Sequence, residues 1–155
     1  MNYFKCLFIL SVAMMSMYSF ADIPKRINSV GELAKWIESL SESEITRFNN
    51  ENINPRLSPS IGTESGGMRI EQGMAAGRVV SFVYTAPDFY PTEENILLSK
   101  QRLTASFCEL PIWLGLMGGG YSMLFDYRDS NTFERKYRLK LDIHMCEEYL
   151  KRKIN

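Results

Sequence analysis

Apolar residues first recur at helical spacing after Ser29. Val30, Leu33, Ala34, Ile37 and Leu40 fall on one stripe. Ser29-Val30-Gly31-Glu32 has the capping-box pattern that opens a helix. The pattern predicts a helix over 30–41 and a second short helix around 42–49. From Asn49 to Gly67 the periodicity disappears, and Asn54-Pro55, Ser58-Pro59 and Ser65-Gly66-Gly67 punctuate the chain. That composition predicts a long irregular loop at 49–67. Loops of this length are often functional or mobile.

Period-two alternation takes over next. Met68 to Met74 reads as a weak strand, Ala75-Ala76-Gly77 as a turn, and Arg78 to Thr85 as a better strand, rich in β-branched and aromatic residues. Pro87 and Pro91 end this hairpin. Thr92 caps a following helix with Glu93 and Glu94 in its first turn, where negative charge complements the helix dipole. Its apolar stripe is Ile96, Leu103 and Phe107, with Lys100 between them. Leu110-Pro111 breaks it, and a further short turn starts there. After Gly118-Gly119-Gly120, the residues Tyr121, Met123, Phe125 and Tyr127 alternate with Ser122, Leu124, Asp126 and Arg128. Asp129 to Thr132 is a turn. Phe133, Arg135, Tyr137, Leu139, Leu141 and Ile143 then alternate with Glu134, Lys136, Arg138, Lys140, Asp142 and His144. Glu147 to Lys153 closes the chain as a short helix. These elements predict an α+β fold, with an antiparallel sheet of about four strands in two hairpins. Helices lie on one sheet face, and the order is α-β-β-α-β-β-α.

The N-terminus changes the picture of where the protein resides. Lys5 precedes the apolar run Cys6 to Met15, and Ser19-Phe20-Ala21 places small residues at the −3 and −1 positions of a cleavage site. Residues 1–21 therefore read as a secretory signal, too short in its apolar stretch for a spanning anchor. Cys6 lies at the front of that stretch, which makes it a poor lipoprotein cysteine. Removing 21 of 155 residues leaves 134, expected to form one exported domain over 22–155, periplasmic or secreted. Lys5 is the sole charge lost, so 17 basic and 18 acidic residues remain, a net charge of −1. A dedicated nucleic-acid binder would carry a basic excess. With 45% apolar and 12% aromatic residues, the chain is neither disordered nor fibrous.

Cys108 and Cys146 remain after signal removal. An even count in an oxidising compartment reads as one disulfide. A reactive Cys108 or a metal site is the alternative. A reactive thiol needs a basic partner and structural zinc needs four ligands, whereas this chain offers two cysteines and the single His144. No cofactor or metal is expected. Gly118-Gly119-Gly120 lacks the Lys-Ser/Thr and helix of a phosphate loop. Asp126, Asp129 and Asn131 lack the ladder and central Gly of a calcium loop. His144 has no assignable triad partner, and Glu93 and Glu94 diverge on a helix.

Lys136, Arg138 and Lys140 share one strand face by period-two spacing. The stripe suits an acidic partner, a phosphate-bearing envelope polymer or an anionic surface, although cations on a strand also protect a sheet edge. The aromatic region at Trp113 and Tyr121 is a second candidate surface, and the 49–67 loop a third.

The C-terminal half resembles a family of small exported bacterial α+β proteins represented by a quorum-sensing-regulated virulence factor. The resemblance spans about residues 77–146 and rests on Cys108, Leu114 to Gly118, Phe125-Asp126-Tyr127-Arg128-Asp129 and Cys146. It implies export, a disulfide and no assigned enzyme activity, and it brings no catalytic residues. The expected function is non-enzymatic protein binding, as in an inhibitor, immunity protein or secretion accessory. The chain would act as a monomer or homodimer, with no stable membrane insertion once the signal is removed. The alternative is a small cell-envelope hydrolase built from scattered Asp, Glu and His144.

Overall fold

A computed structural model describes residues 27–65, 67–87 and 91–154. The signal read at 1–21 lies outside them. Helix α1 spans Val30–Ser39 and α2 spans Glu42–Phe48. Ser29 caps α1 by accepting from the Glu32 N–H. At Ser41 a full capping box is formed: its side chain accepts from the Glu44 N–H, and the Glu44 carboxylate accepts from the Ser41 N–H at 2.8 Å.

The segment expected to be an irregular loop is largely helical. A π-helical turn at Asn49–Ile53 runs into α3 at Asn54–Leu57, a 3₁₀ turn at Ser58–Ser60 and a two-residue strand β1 at Glu64–Ser65. Pro55 and Pro59 sit in the first turns of their helical pieces, where a missing N–H costs nothing. Ile53 and Leu57 enter the core. The buried Asn49 and half-buried Asn54 side chains supply the remaining order. Asn49 donates to the Gly77 carbonyl at 2.8 Å. Asn54 donates to the Ala75 carbonyl at 3.2 Å and accepts from the Ala75 N–H at 2.6 Å.

Strands β2 (Met68–Ala76) and β3 (Val79–Ala86) form the first hairpin. Helices α4 (Glu93–Cys108) and α5 (Pro111–Gly118) follow, then β4 (Ser122–Asp129), β5 (Arg135–Leu141) and α6 (Ile143–Ile154). The sheet order is β1-β2-β3-β4-β5. β2 pairs antiparallel with β3, and β4 with β5, but β3 and β4 run parallel, with Phe82 opposite Phe125. The sheet is therefore mixed rather than antiparallel. Alternation and turn signals define each hairpin but not how two hairpins join. Here α4 and α5 carry the chain back to the same end of the sheet, and that connection makes the joined strands parallel.

The inner sheet face carries the aromatic ladder. Phe82 stacks on Phe125 at 5.3 Å, Tyr84 on Tyr127 at 5.4 Å, and Phe107 of α4 meets Phe125 edge-on at 5.3 Å. Leu33, Ile37, Leu116 and Met117 complete this core from the helical side. Two glycines permit α1 and α5 to touch. A Cβ on Gly115 would lie 2.4 Å from Leu33 Cδ2, and one on Gly119 would lie 2.4 Å from Ile37 Cγ2. Gly118-Gly119-Gly120 is thus a packing surface as well as a turn. Arg78 ties the same junction, donating to the carbonyls of Ile37 at 2.9 Å, Gly119 at 2.6 Å and Leu40 at 3.0 Å.

The last strand is shorter than the alternation predicts. Asp142 ends it, accepting from the Met145 N–H at 3.4 Å and starting α6. Ile143 and His144 are therefore helical rather than strand residues.

Candidate functional site

Tertiary placement separates the residues singled out from sequence. Cys108, at the end of α4, and Cys146, in α6, form a disulfide with Cα atoms 5.1 Å apart, and both are buried. Trp113 and Tyr121 are not on the surface. Trp113 is 9% exposed and meets Phe107 edge-on, so its ring serves the core. Tyr121 is 2% exposed and donates to Asn49 Oδ1 at 2.8 Å; burial pushes its hydroxyl up to about 12. His144 lies exposed in α6, 3.8 Å from Glu147.

Lys136, Arg138 and Lys140 do share the outer sheet face, the one away from the helices. Each is matched by a carboxylate of its own chain. Lys136 meets Glu134 at 2.5 Å, Arg138 meets Asp126 at 2.5 and 2.7 Å, and Lys140 meets Asp142 at 3.4 Å. Arg138 is a two-pronged clamp on a carboxylate whose side chain is 9% exposed. Its hydrogen bonds hold the Asp126 carboxyl below the usual carboxylate range, with the charges of Arg135 and Arg128 adding to the effect.

Sequence reasoning missed the residues that crowd around this clamp. Strand register sets Arg128 directly opposite Arg135, at an irregularity between Tyr127 and Arg128. Like charges in opposed positions destabilise a sheet. The Arg128 guanidinium lies 4.8 Å from the Phe133 ring centroid and 3.8 Å from Asp126. Among the described residues its Nη1 donates only a long 3.4 Å bond to the Phe133 carbonyl, and its buried Nε has no hydrogen-bond partner. Phe133 was expected on the inward face of a strand. Instead it sits in the turn at φ 57° and is 49% exposed. Asp129 shapes that turn by accepting from the Asn131 and Thr132 N–H groups, both at 2.9 Å, which lowers its own carboxyl pKa. The sequence signal was present: Asp129 to Thr132 marks a turn, and a turn that tight leaves Phe133 outside the ladder.

No family model matches the chain, and no curated protein matches it. Among solved structures it is similar to the type 2 secretion system pilotin EpsS of Vibrio vulnificus. Identity is 14%, coverage is 75% of this chain and 96% of that one, and the TM-score is 0.48. The type II secretion system pilotin AspS of Vibrio cholerae shows 19% identity, coverage of 77% and 100%, and a TM-score of 0.45. A Pseudomonas aeruginosa protein assigned as secreted shows 13% identity, coverage of 77% and 98%, and a TM-score of 0.45.

A second surface feature lies on the helical side. Trp36, Leu40, Glu44, Arg47, Phe48 and Glu51 line an open cleft of about 380 Å³. Trp36 packs edge-on against Phe48 at 5.6 Å, which leaves the indole half-buried. Among the described residues, no group of three His, Cys, Asp or Glu side chains is placed to hold a metal ion, and no helix is long and apolar enough to cross a membrane.

Proposed function

We propose that this is an exported protein that acts by non-enzymatic contact with another protein, through the outer face of its sheet. One observation carries the reading: the helices and the aromatic core lie against one sheet face, while the other carries the row Met74, Ser81, Leu124 and Lys140 beside the Asp126–Arg138 pair. Met74 is exposed and Leu124 half-buried, and neither joins the core. A bare face with a polar margin and a few apolar positions suits a protein interface. Lys136, Arg138 and Lys140 belong to this face, with Arg138 held in place for contact by Asp126. An inhibitor, an immunity protein or a secretion accessory would work in this manner.

The mature chain, tagged at its C-terminus, is cross-linked in an envelope extract and purified. A discrete cross-linked protein lost when the outer face is mutated supports the reading. Its absence, together with a hydrolytic activity abolished by His144→Ala, would return the chain to the envelope hydrolases. Export is checked by intact mass: the recovered protein should lack residues 1–21, because Ser19 and Ala21 fit the cleavage positions.

A further inference from the structure

We infer that the tip of the β4–β5 hairpin is a docking point for an acidic protein segment, with a partner carboxylate seated between Arg128 and Arg135 and an apolar neighbour against Phe133. This rests on the protein-contact reading above and names the chemistry of the partner.

Three observations converge on the tip. The first is charge. Arg128, Arg135 and Arg138 cluster around the single Asp126 carboxylate, and both oxygens of that carboxylate are taken by Arg138. Among the described residues the neighbouring carboxylates add little: Asp129 is committed to its turn and Glu134 to Lys136. Arg135 closes no ion pair among the described residues, and Arg128 reaches Asp126 only at 3.8 Å. The second is unmet hydrogen bonding. Among the described residues the buried Arg128 Nε has no partner and Nη1 has only a long one. The third is local conflict. Register forces two arginines into opposition, and the adjacent turn holds a phenylalanine half-exposed in the left-handed region. Conflicts of this kind tend to mark functional sites, because folding alone would remove them.

A carboxylate answers the excess of positive charge and offers the Arg128 Nη groups a closer acceptor than the Phe133 carbonyl or Asp126. It screens the Arg128–Arg135 repulsion, and guanidinium groups bind carboxylates through paired N–H donors. Arg128 is pre-positioned over the Phe133 ring by cation–π attraction, so little side-chain entropy is lost on binding. The exposed aromatic beside an arginine has the composition of an interface hot spot. A flat anionic membrane fits less well. The tip offers two neighbouring arginines rather than a broad field of cations, because Lys136, Arg138 and Lys140 are each matched by a carboxylate.

The test uses the mature full chain and a fluorescein-labelled peptide of alternating Glu and Val, with a Lys–Val peptide and phosphatidylglycerol vesicles as comparisons. The acidic peptide should bind, the basic one should not, and added salt should weaken binding. Combined Arg128→Gln and Arg135→Gln should weaken it about tenfold. Phe133→Gly should also weaken it while keeping the fold, since glycine accepts a positive φ. Combined Lys35→Gln and Lys100→Gln, an equal charge loss on the helical side, should leave binding unchanged. The inference is overturned if the peptides bind alike, if the tip variants bind as the parent does, or if vesicles bind and the acidic peptide does not. Should cross-linking still capture a partner that the tip variants retain, this inference alone fails. Should it capture none, the broader reading fails with it.

Discussion

Asp126 and Arg138 face each other across β4 and β5 and share two hydrogen bonds, at 2.5 and 2.7 Å. The partners differ in burial: the Asp126 side chain is 9% exposed and that of Arg138 is 46% exposed. That asymmetry decides which deletion hurts more. Arg138→Gln strands a desolvated carboxylate with Arg128 only at 3.8 Å, and should cost about 2 kcal/mol. Asp126→Asn leaves an arginine that water can reach, and should cost about 1 kcal/mol because the exposed partner is screened. Chemical denaturation of the two single variants and the double variant gives the ranking. Equal losses would show that burial does not set the cost.

The same pair sets an acid dependence. Arg138 holds the folded Asp126 pKa below its ordinary value, so the carboxylate stabilises the fold fully above the unfolded pKa of about 4. That contribution falls as pH drops through the folded value, and is gone once both states are protonated. The stability gap between the parent and Asp126→Asn should therefore narrow below about pH 4. Melting curves at stepped pH measure it, and a gap that widens on acidification contradicts the assigned sign.

Cys108 and Cys146 clamp the end of α4 to α6 with 38 residues of sequence separation. In the chain-entropy account, closing such a loop restrains the unfolded chain by about 4 kcal/mol. Cys108→Ser and Cys146→Ser should each lower the melting temperature markedly, and the double variant should be no worse than the worse single one. Reductant should reproduce the loss in the parent and leave the double variant unmoved. Labelling of both thiols in unfolded, unreduced protein would refute the bridge.

Gly115 faces Leu33, with 2.4 Å between a hypothetical Cβ and Leu33 Cδ2. Gly115→Ala should destabilise by about 2 kcal/mol through overpacking, although alanine is the better helix former. Combining it with Leu33→Ala should recover part of that loss in denaturation experiments, because the two side chains compete for the same space.

Local periodicity made most of this legible. The Val30 stripe, the Thr92 cap and the two hairpins are dictated by residues within a few positions of one another. What escaped depends on distant partners. The parallel joint of Phe82 and Phe125 is a consequence of the α4–α5 crossover. Arg78 looks like a strand residue until the carbonyls of Ile37, Leu40 and Gly119 converge on its guanidinium. Trp113 and Tyr121 bear polar atoms and could serve either surface or core, and only the tertiary packing decides. Lys136, Arg138 and Lys140 were correctly placed on one face by spacing. Glu134 and Asp142 stand two residues from Lys136 and Lys140 in the same alternating set, so those pairs were legible; the Arg138–Asp126 clamp and the opposition of Arg128 and Arg135 were not, because register across a bulge is not encoded in either strand alone.

The 49–67 segment shows how a polar run can be ordered by its side chains. Ala75 lies in β2 beyond the reach of the short β1, and Asn54 supplies the missing edge partner, accepting from its N–H at 2.6 Å and donating to its carbonyl at 3.2 Å. Asparagine carries its acceptor and its donor on separate atoms, so one side chain can meet both an N–H and a carbonyl of the same residue. Asn54→Asp keeps the acceptor but turns an oxygen toward the Ala75 carbonyl. Asn54→Ala removes both bonds and leaves a buried backbone pair unsatisfied, at about 2 kcal/mol. Both variants should lower stability, and the Ala75 amide should exchange faster with solvent in Asn54→Ala than in Asn54→Asp, which still accepts from it. An Ala75 amide equally protected in all three proteins would mean that the segment is held by Ile53, Leu57 and the Asn49 bonds rather than by Asn54.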